Sequence, residues 1–329
     1  MPSSLYVLHQ GAVIRKAGNR LIVMSEGQRL ASAPVFLLER VLLFGRVEIT
    51  SAAVAALLEQ QAQVCYLDRR GRLRGRVIGA GNTGVLMRIR QHAKWNDAAE
   101  RVRFASTCVA AKIANCVTLL RRRQRNKSHP ALGVSIAQLE RAQARASCCF
   151  DFAELLGIEG AAARAYFSCW PSILPTDAGF PGRRRRPPPD PVNALLSLTY
   201  TLLLEEVRSA LAARGLDADL GCLHSVRGTR PALALDLLEE LRPSLCDRFV
   251  LASFCRRMFQ PSHFETSDGA CLMTQQGLRD FLDHWERHLQ QPFPDEAGSP
   301  TSWRRVTARQ AARTAAWVAG EAYVPYRLR

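Results

Sequence analysis

A histidine and two carboxylates lie near one another in the second half of the sequence. His224 precedes a predicted helix that carries Asp236 and Glu239, three positions apart, so that their side chains share one face of the helix. The leucines around this pair predict a buried segment, and a buried carboxylate pair is costly unless a cation neutralises it. Carboxylate oxygens with one imidazole suit Mg²⁺ or Mn²⁺, and the imidazole slightly favours Mn²⁺.

Two other interpretations of these residues stay open from the sequence alone. Glu239 could belong to a solvated helix face, and His224 could be a hydrogen-bonded core residue, which is the commoner situation. Glu159, in an apolar stretch rich in Gly and Ala, could equally be a residue of a first helical turn, where the helix dipole favours acids. Taken singly, these residues indicate a possible cation site and no more.

A polar stripe lies along a predicted helix over 191–214. Asn193, Ser197 and Tyr200 follow at i, i+4 and i+7, which places them on one face of an otherwise leucine-rich helix. Such a stripe lines a cavity or takes part in hydrogen bonds between helices, and the sequence favours neither. Asp190 and Pro191 are expected to cap and open this helix.

The chain is strongly basic. Its 329 residues contain 45 Lys and Arg against 29 Asp and Glu, a formal net charge of +16. Guanidinium groups match phosphate oxygens bidentately, so nucleic acid is the expected partner, an acidic membrane surface is second, and a merely solvated basic surface is the alternative. The run 183–186, stiffened by prolines, could bind a phosphate backbone or form a disordered basic loop.

The elements that must position these residues fall into two regions. Short apolar runs separated by glycine turns predict a small β-rich domain over 1–80. From 81 to 329, apolar residues at spacings of three and four predict a larger all-α domain, so the fold class is α+β. The predicted helices cover 84–95, 97–123, 134–143, 149–170, 191–214, a segment from about 231, 275–290 and 303–320.

Several classes of protein are disfavoured. The ten cysteines include no C-x-x-C pair, which argues against zinc or a disulfide framework and for buried thiols in a reducing cytosol. The first residues do not resemble a secretory signal, and no stretch approaches the roughly 18 apolar residues of a membrane span. We therefore expect a cytoplasmic protein that does not bind the membrane.

Three segments, taken together, resemble one known family. They are LLGIEGAAARAYF at 155–167, RRRRPPPDPVNALLSLTY at 183–200, and the long stretch 215–250. In this order they are similar to the universal endonuclease/integrase of CRISPR adaptation, which inserts new spacers. The resemblance covers nearly the whole chain. Ala218 and Cys222 depart from it, at positions where proline and an aromatic residue are common, but neither removes a ligand.

The resemblance implies a set of site residues. Its metal ligands fall on Glu159, His224 and Glu239, and Asp236 matches an acidic position that supports the site or serves as an alternative ligand. Asn193 and Tyr200 match polar positions lining the same pocket. The expected DNA-binding residues are Arg183, Arg184, Arg185, Arg186, Arg230 and Arg242.

The resemblance also implies an activity. A Mg²⁺- or Mn²⁺-dependent enzyme would join the 3′-hydroxyl of spacer-precursor DNA to a phosphodiester at a CRISPR repeat. It would act as a homodimer, paired through the β-rich domain, with a small second CRISPR adaptation subunit bridging two dimers. A metal-dependent DNA repair nuclease without integration activity and a non-catalytic DNA-binding scaffold are the alternatives.

Overall fold

The chain forms two compact units. The computed structural model describes residues 3–79, 84–126, 129–184, 187–225, 228, 230–267, 269–295 and 298–328. One unit comprises Met1–Thr83 with Met273–Asp283, and the other comprises Gly84–Leu272 with His284–Arg329. The first unit thus includes residues 273–283. The boundary expected from the sequence, at residue 80, placed these residues in the helical domain.

The N-terminal part of the first unit is built from two four-stranded sheets and one helix. Its elements are β1 Ser3–Val7, β2 Val13–Ala17, β3 Arg20–Ser25, β4 Gln28–Pro34, β5 Leu38–Phe44, β6 Glu48–Ile49, α1 Ser51–Glu59, β7 Gln63–Leu67 and β8 Leu73–Val77. One sheet has the order β1-β5-β7-β8 and the other β4-β3-β2-β6. In the first sheet β1, β5 and β7 are parallel and β8 is antiparallel.

The core of this unit comes from the inward faces of both sheets. Ile14, Val41 and Val64 are fully buried there with Leu57 of α1. Thr50 caps α1 by accepting a hydrogen bond from the backbone N–H of Ala53, as its position before the helix predicts. Apolar runs in the sequence predicted these elements except β4, whose exposed first residues lack an alternating apolar pattern, and β6, which is only two residues long.

Helices dominate the rest of the chain. They are α2 Val85–Asn96, α3 Ala98–Asn126, α4 Pro130–Ser147, α5 Phe152–Ser168, α6 Trp170–Ile173, α7 Pro191–Ala212, α8 Ala232–Arg242, α9 Arg248–Cys255, α10 Gln275–Gln290 and α11 Trp303–Val318. The predicted class, a β-rich region followed by a helical one, is confirmed. Two short strand pairs, β9 Phe264–Ser267 with β10 Ala270–Met273 and β11 Phe293–Pro294 with β12 Pro300–Thr301, interrupt the helices.

Helix α3 is the central element of the second unit and packs against α4, α5 and α8. Its span Ala98–Arg125 is long and apolar enough to cross a membrane by length and composition. This differs from the expectation that no stretch of the chain approaches the length and apolar character of a membrane span. However, 72% of its apolar window is buried inside the protein, with Phe104 and Leu120 enclosed. Its apolar character is therefore explained by packing in a core.

Two local features place the loop before α8. At Gly221 a Cβ atom would lie 2.4 Å from the backbone of Ala232, so only glycine allows this close approach. Trp95 donates a hydrogen bond of 2.8 Å to the Gly221 carbonyl from α2. The loop that carries His224 is thereby held against the start of α8.

A wide π-helical turn, Pro243–Asp247, joins α8 to α9. His288 of α10 supports it, with its Nε2 atom 3.1 Å from the Leu245 carbonyl oxygen. The imidazole packs on Phe249. Burial, reinforced by the nearby charge of Arg248, lowers the pKa of His288 from 6.5 to about 4.

Burial of His288 should make folding stability depend on pH. Because the folded-state pKa is below the unfolded value, stability is full above pH 6.5 and is lost as pH falls towards 4. The loss reaches about 3 kcal/mol. Urea unfolding of the wild type and of His288→Gln from pH 4 to 8 measures this loss. The difference between their free energies of unfolding should shrink as pH falls. A difference that is constant with pH would contradict this assignment.

Candidate active site

The charged centre of the second unit is a lysine held between two carboxylates. Lys112 of α3 donates a hydrogen bond to Glu159 of α5, and its Nζ atom lies 2.6 Å from Oε2 of Glu239 on α8. Only 12% of the Lys112 side chain is exposed. Burial alone would lower the pKa of Lys112, but Glu239 and Glu159 outweigh burial and raise it above its usual value.

Glu239 is also paired with an arginine and faces the histidine. Arg242 donates a hydrogen bond of 2.5 Å to Oε1, and Nε2 of His224 lies 4.0 Å from the same oxygen. Burial would raise the pKa of Glu239, but Arg242 and then Lys112 outweigh burial and hold it well below the ordinary range. Glu239 is therefore a carboxylate at neutral pH.

Asp236 organises the His224 loop. Its fully buried carboxylate accepts hydrogen bonds from the backbone N–H groups of Cys222, Leu223 and His224, at 2.5, 2.9 and 2.9 Å. Its Oδ1 atom also lies 2.7 Å from Nδ1 of His224. Since a carboxylate only accepts, Nδ1 is the donor, and the lone pair of a neutral imidazole is then on Nε2, towards Glu239.

The carboxylate oxygens and the imidazole nitrogen at this centre are groups that can bind a divalent cation. Both Glu159 and Glu239 reach one cationic group, and the free nitrogen of His224 lies beside Glu239. Asp236 is occupied with orienting His224, as the partner of a metal-bound histidine commonly is. Within the described ranges, however, no three His, Cys, Asp or Glu side chains are spaced ready for a metal ion. The ammonium of Lys112 holds the intervening position.

A small cavity adjoins this centre. It encloses about 30 Å³, enough for a water molecule. Its wall includes Lys112, Arg242, Tyr200 of α7, Tyr166 of α5 and Asp247 of the π-helical turn. It thus connects the charged centre to the polar side of α7.

Two tyrosines meet at one carboxylate in this cavity. Tyr200 and Tyr166 donate hydrogen bonds of 2.5 and 3.1 Å to Asp247. Burial raises the pKa of Asp247 to about 6 in spite of the Tyr200 hydrogen bond. The Arg242 guanidinium stacks over the Tyr200 ring, 4.0 Å from its centroid, and fixes that ring beside the charged centre.

Asn193 anchors the basic loop to α7. Its amide donates to the Gly182 carbonyl and to Asp190, the predicted helix cap, and its oxygen accepts from Arg183 and from the backbone of Arg184. Of the two roles that the sequence left open for the α7 stripe, Tyr200 has both, since it lines the cavity and hydrogen-bonds to Asp247 of the π-helical turn. Asn193 bonds to a loop and to its own helix cap instead.

The expected DNA-binding arginines occupy different environments. Arg184 and Arg230 are exposed, and Arg183 is half-buried in the cavity wall. Arg185 and Arg186 lie outside the described residues. Arg242 is 13% exposed and paired with Glu239, so it belongs to the charged centre instead of an open basic surface.

The neighbouring residue Glu240 points away from this centre. It accepts hydrogen bonds from Gln310 of α11, from the Tyr323 hydroxyl and from the Tyr326 backbone. Burial raises the pKa of Glu240 to about 7. Asn115 of α3 also binds the Tyr326 carbonyl. The extended C-terminal segment is thereby tied to α3 and α8, two of the helices that form the site.

Sequence reasoning missed three members of the site: Lys112, Tyr166 and Asp247. The signal for Lys112 was present, because it is the single charged residue between Phe104 and Leu120. A lone charge in a buried helix needs a partner. Its partners are distant in sequence, however, and no local spacing identifies them.

Comparisons with known proteins show the family to which the chain belongs. The family model described as CRISPR associated protein Cas1 matches residues 5–287. The chain belongs to the Cas1 family.

Two curated relatives illustrate the extent of the match. The chain is 33% identical to a CRISPR-associated endonuclease Cas1 of Thermus thermophilus, over 99% of each sequence. It is 36% identical to a Cas4/Cas1 fusion of Geobacter sulfurreducens, described as a CRISPR-associated exonuclease/endonuclease, over 96% of the chain. It spans only 58% of that fusion's length.

Solved structures share the Cas1 fold. A CAS1 protein from Thermotoga maritima superimposes with a TM-score of 0.85, at 22% identity, over 99% of this chain and all of that one. A casposase bound to integration product superimposes with a TM-score of 0.84, at 19% identity, over 98% of this chain and 92% of that one. A chain of a Cas6-RT-Cas1–Cas2 complex superimposes with a TM-score of 0.83, at 22% identity, over 99% of this chain and 36% of that one.

The hydrogen bonds at Asp236 give a stability test. Asp236→Asn should lower the free energy of unfolding by about 1–3 kcal/mol, because the amide nitrogen cannot accept and the buried backbone donors on its side lose their acceptor. His224→Ala should cost less, since Asp236 keeps its three backbone hydrogen bonds. Urea unfolding of both variants measures this order, and the reverse order would show that the imidazole, not the carboxylate, holds the loop.

Proposed function

We propose that this chain is a CRISPR adaptation integrase, a metal-dependent DNA endonuclease and strand transferase. It inserts spacer-precursor duplex into the CRISPR repeat array by attack of a 3′-hydroxyl on a phosphodiester. The observation that carries the proposal is the meeting of Glu159 and Glu239 at one cationic position beside Nε2 of His224. Membership of the Cas1 family and the shared fold support it.

Glu159, Glu239 and His224 would hold Mg²⁺ or Mn²⁺. Such an ion supplies Lewis acidity, which polarises a phosphate and lowers the pKa of a hydroxyl. Asp236 is then a positioning residue, because it keeps the proton on Nδ1 and leaves Nε2 free. Arg242, fixed by Glu239 and the Tyr200 ring, offsets negative charge that develops on the phosphate.

The reaction itself is a transesterification. The oxygen of the precursor 3′-hydroxyl forms a bond to the repeat phosphorus and gives up its proton. The bond from that phosphorus to the repeat 3′-oxygen breaks, and this oxygen leaves as a new 3′-hydroxyl after taking a proton. With water in place of the 3′-hydroxyl, the same displacement cleaves the strand.

The proposed partners are double-stranded DNA, a second copy of this chain and a small second CRISPR adaptation subunit. The basic composition favours the first. Dimerisation is assigned to the β-rich region, and the small subunit would bridge two dimers, both on the basis of the family resemblance. The place of action is the cytoplasm, with no part played by membranes.

A second candidate is a DNA repair nuclease without integration activity. The curated relatives carry the name endonuclease, and hydrolysis requires no second DNA. The two functions differ in product. An integrase transfers labelled precursor DNA into a repeat-containing plasmid, whereas a nuclease leaves only nicks.

Variants of the three proposed ligands test the chemistry. Glu159→Gln, His224→Ala and Glu239→Gln should each lower single-turnover joining by at least about a thousandfold, a loss of roughly 4 kcal/mol in transition-state stabilisation. Label transfer into a repeat plasmid with Mn²⁺ measures joining, and gel shift measures duplex binding, which should stay near wild type.

Glu154→Gln is the matched control. Glu154 is an exposed carboxylate on α5, paired with Arg145, and its loss should leave joining unchanged. Full joining by any one of the three ligand variants would remove that residue from the site. Nicking without joining by the wild type, in the presence of the second subunit, would favour the repair nuclease.

Exposed arginines should contribute to duplex binding through counterion release. The double variant Arg184→Ser with Arg230→Ser should bind duplex more weakly, and the slope of log K against log salt should become shallower by up to about 2. Fluorescence anisotropy between 50 and about 300 mM salt measures both quantities. Arg145→Ser, which removes an exposed arginine already paired with Glu154, is the control. An unchanged slope in the double variant would exclude these two residues from the DNA contact.

A further inference from the structure

The Lys112 ammonium lies where the proposed metal ion would have to bind. Its Nζ atom contacts Glu159 and lies 2.6 Å from Oε2 of Glu239. These are the two carboxylates that would hold the metal. A metal ion and this ammonium would therefore compete for the same oxygens.

The two carboxylates that would hold the metal are each already paired with a resident cation. Glu159 and Glu239 carry two negative charges, and Lys112 and Arg242 carry two positive ones. A divalent cation bound to the same two carboxylates would lie against the Lys112 ammonium in a largely buried place, where repulsion between two cations is strong. Binding of the metal therefore favours withdrawal of one resident cation.

Lys112 is the cation that can withdraw. Arg242 is fixed by its hydrogen bond to Glu239 and by the Tyr200 ring. Lysine, by contrast, is a compact charge on a flexible stem. Lys112 and Asp247 line the same small cavity, which is the space next to the ammonium into which we expect it to move.

We infer that Lys112 is an internal counter-ion, which keeps Glu159 and Glu239 together in the metal-free protein and is displaced when a divalent ion binds. This inference rests on the metal dependence proposed above. Lys112 is thus neither a ligand nor a general base in the resting protein. It sets how tightly the metal is held, and it prevents two buried carboxylates from repelling each other before the metal arrives.

Mn²⁺ titration of the purified full chain tests the inference without any DNA. Isothermal calorimetry should give a dissociation constant at least about tenfold lower for Lys112→Met than for the wild type, because the metal no longer displaces an ammonium. Lys94→Met is the matched control. Lys94 is a partly buried lysine of the same unit, paired with Glu100, and its loss should leave Mn²⁺ affinity unchanged.

Thermal unfolding supplies a second readout. Without metal, Lys112→Met should unfold at a lower temperature than the wild type, because two carboxylates lose their shared cation. Adding Glu159→Gln should recover part of that loss. Saturating Mn²⁺ should raise the unfolding temperature of Lys112→Met more than that of the wild type.

The outcomes separate the inference from the proposed function. Measurable but equal Mn²⁺ affinity in the wild type and Lys112→Met, or weaker binding by the variant, overturns the counter-ion assignment alone. Absence of Mn²⁺ binding by both overturns the metal dependence as well. If Lys112→Met does not fold without metal, the same Mn²⁺ titration of Lys112→Gln decides, because glutamine removes the charge but keeps a hydrogen-bond donor for the carboxylates. Tighter Mn²⁺ binding than by the wild type is expected, and equal or weaker binding overturns the inference.

Discussion

Compensation of buried negative charge is the constraint on which the second unit depends. Glu159 and Glu239 project from different helices towards one place, and carboxylates so close to each other are unfavourable unless positive charge lies between them. Lys112 and Arg242 supply that charge. The long helix α3 thus does more than fill the core. It brings a cation into contact with α5 and α8 and so fixes the distance between them.

Helix α8 distributes its carboxylates among three tasks. Asp236 holds the preceding loop, Glu239 faces the charged centre and Glu240 binds the C-terminal segment. Each residue has a separate set of donors, so the helix is fixed in rotation as well as in position. An error of one residue in its register would exchange Glu239 for Glu240 and leave both sets of partners unsatisfied.

The sequence predicted most of the architecture, because apolar periodicity and glycine turns act locally. The fold class, the long helix α3 and the capped start of α7 are found in the structure. The grouping of Glu159, His224 and Glu239 came from family resemblance, and their role as ligands stays a prediction. Lys112 and Asp247 were missed because their partners are remote in the chain, and such contacts are fixed only by packing of helices.

The wide turn Pro243–Asp247 fixes the length of the segment that follows α8. An α-helix advances about 100° per residue, and a π-helical turn accommodates one more residue than an α-helical turn would. Deleting a single residue there would rotate Asp247 around the helix axis, so that its carboxylate would no longer face Tyr166 and Tyr200. Among homologous chains, insertions and deletions should therefore be excluded from this turn, although substitutions that keep its length can be tolerated.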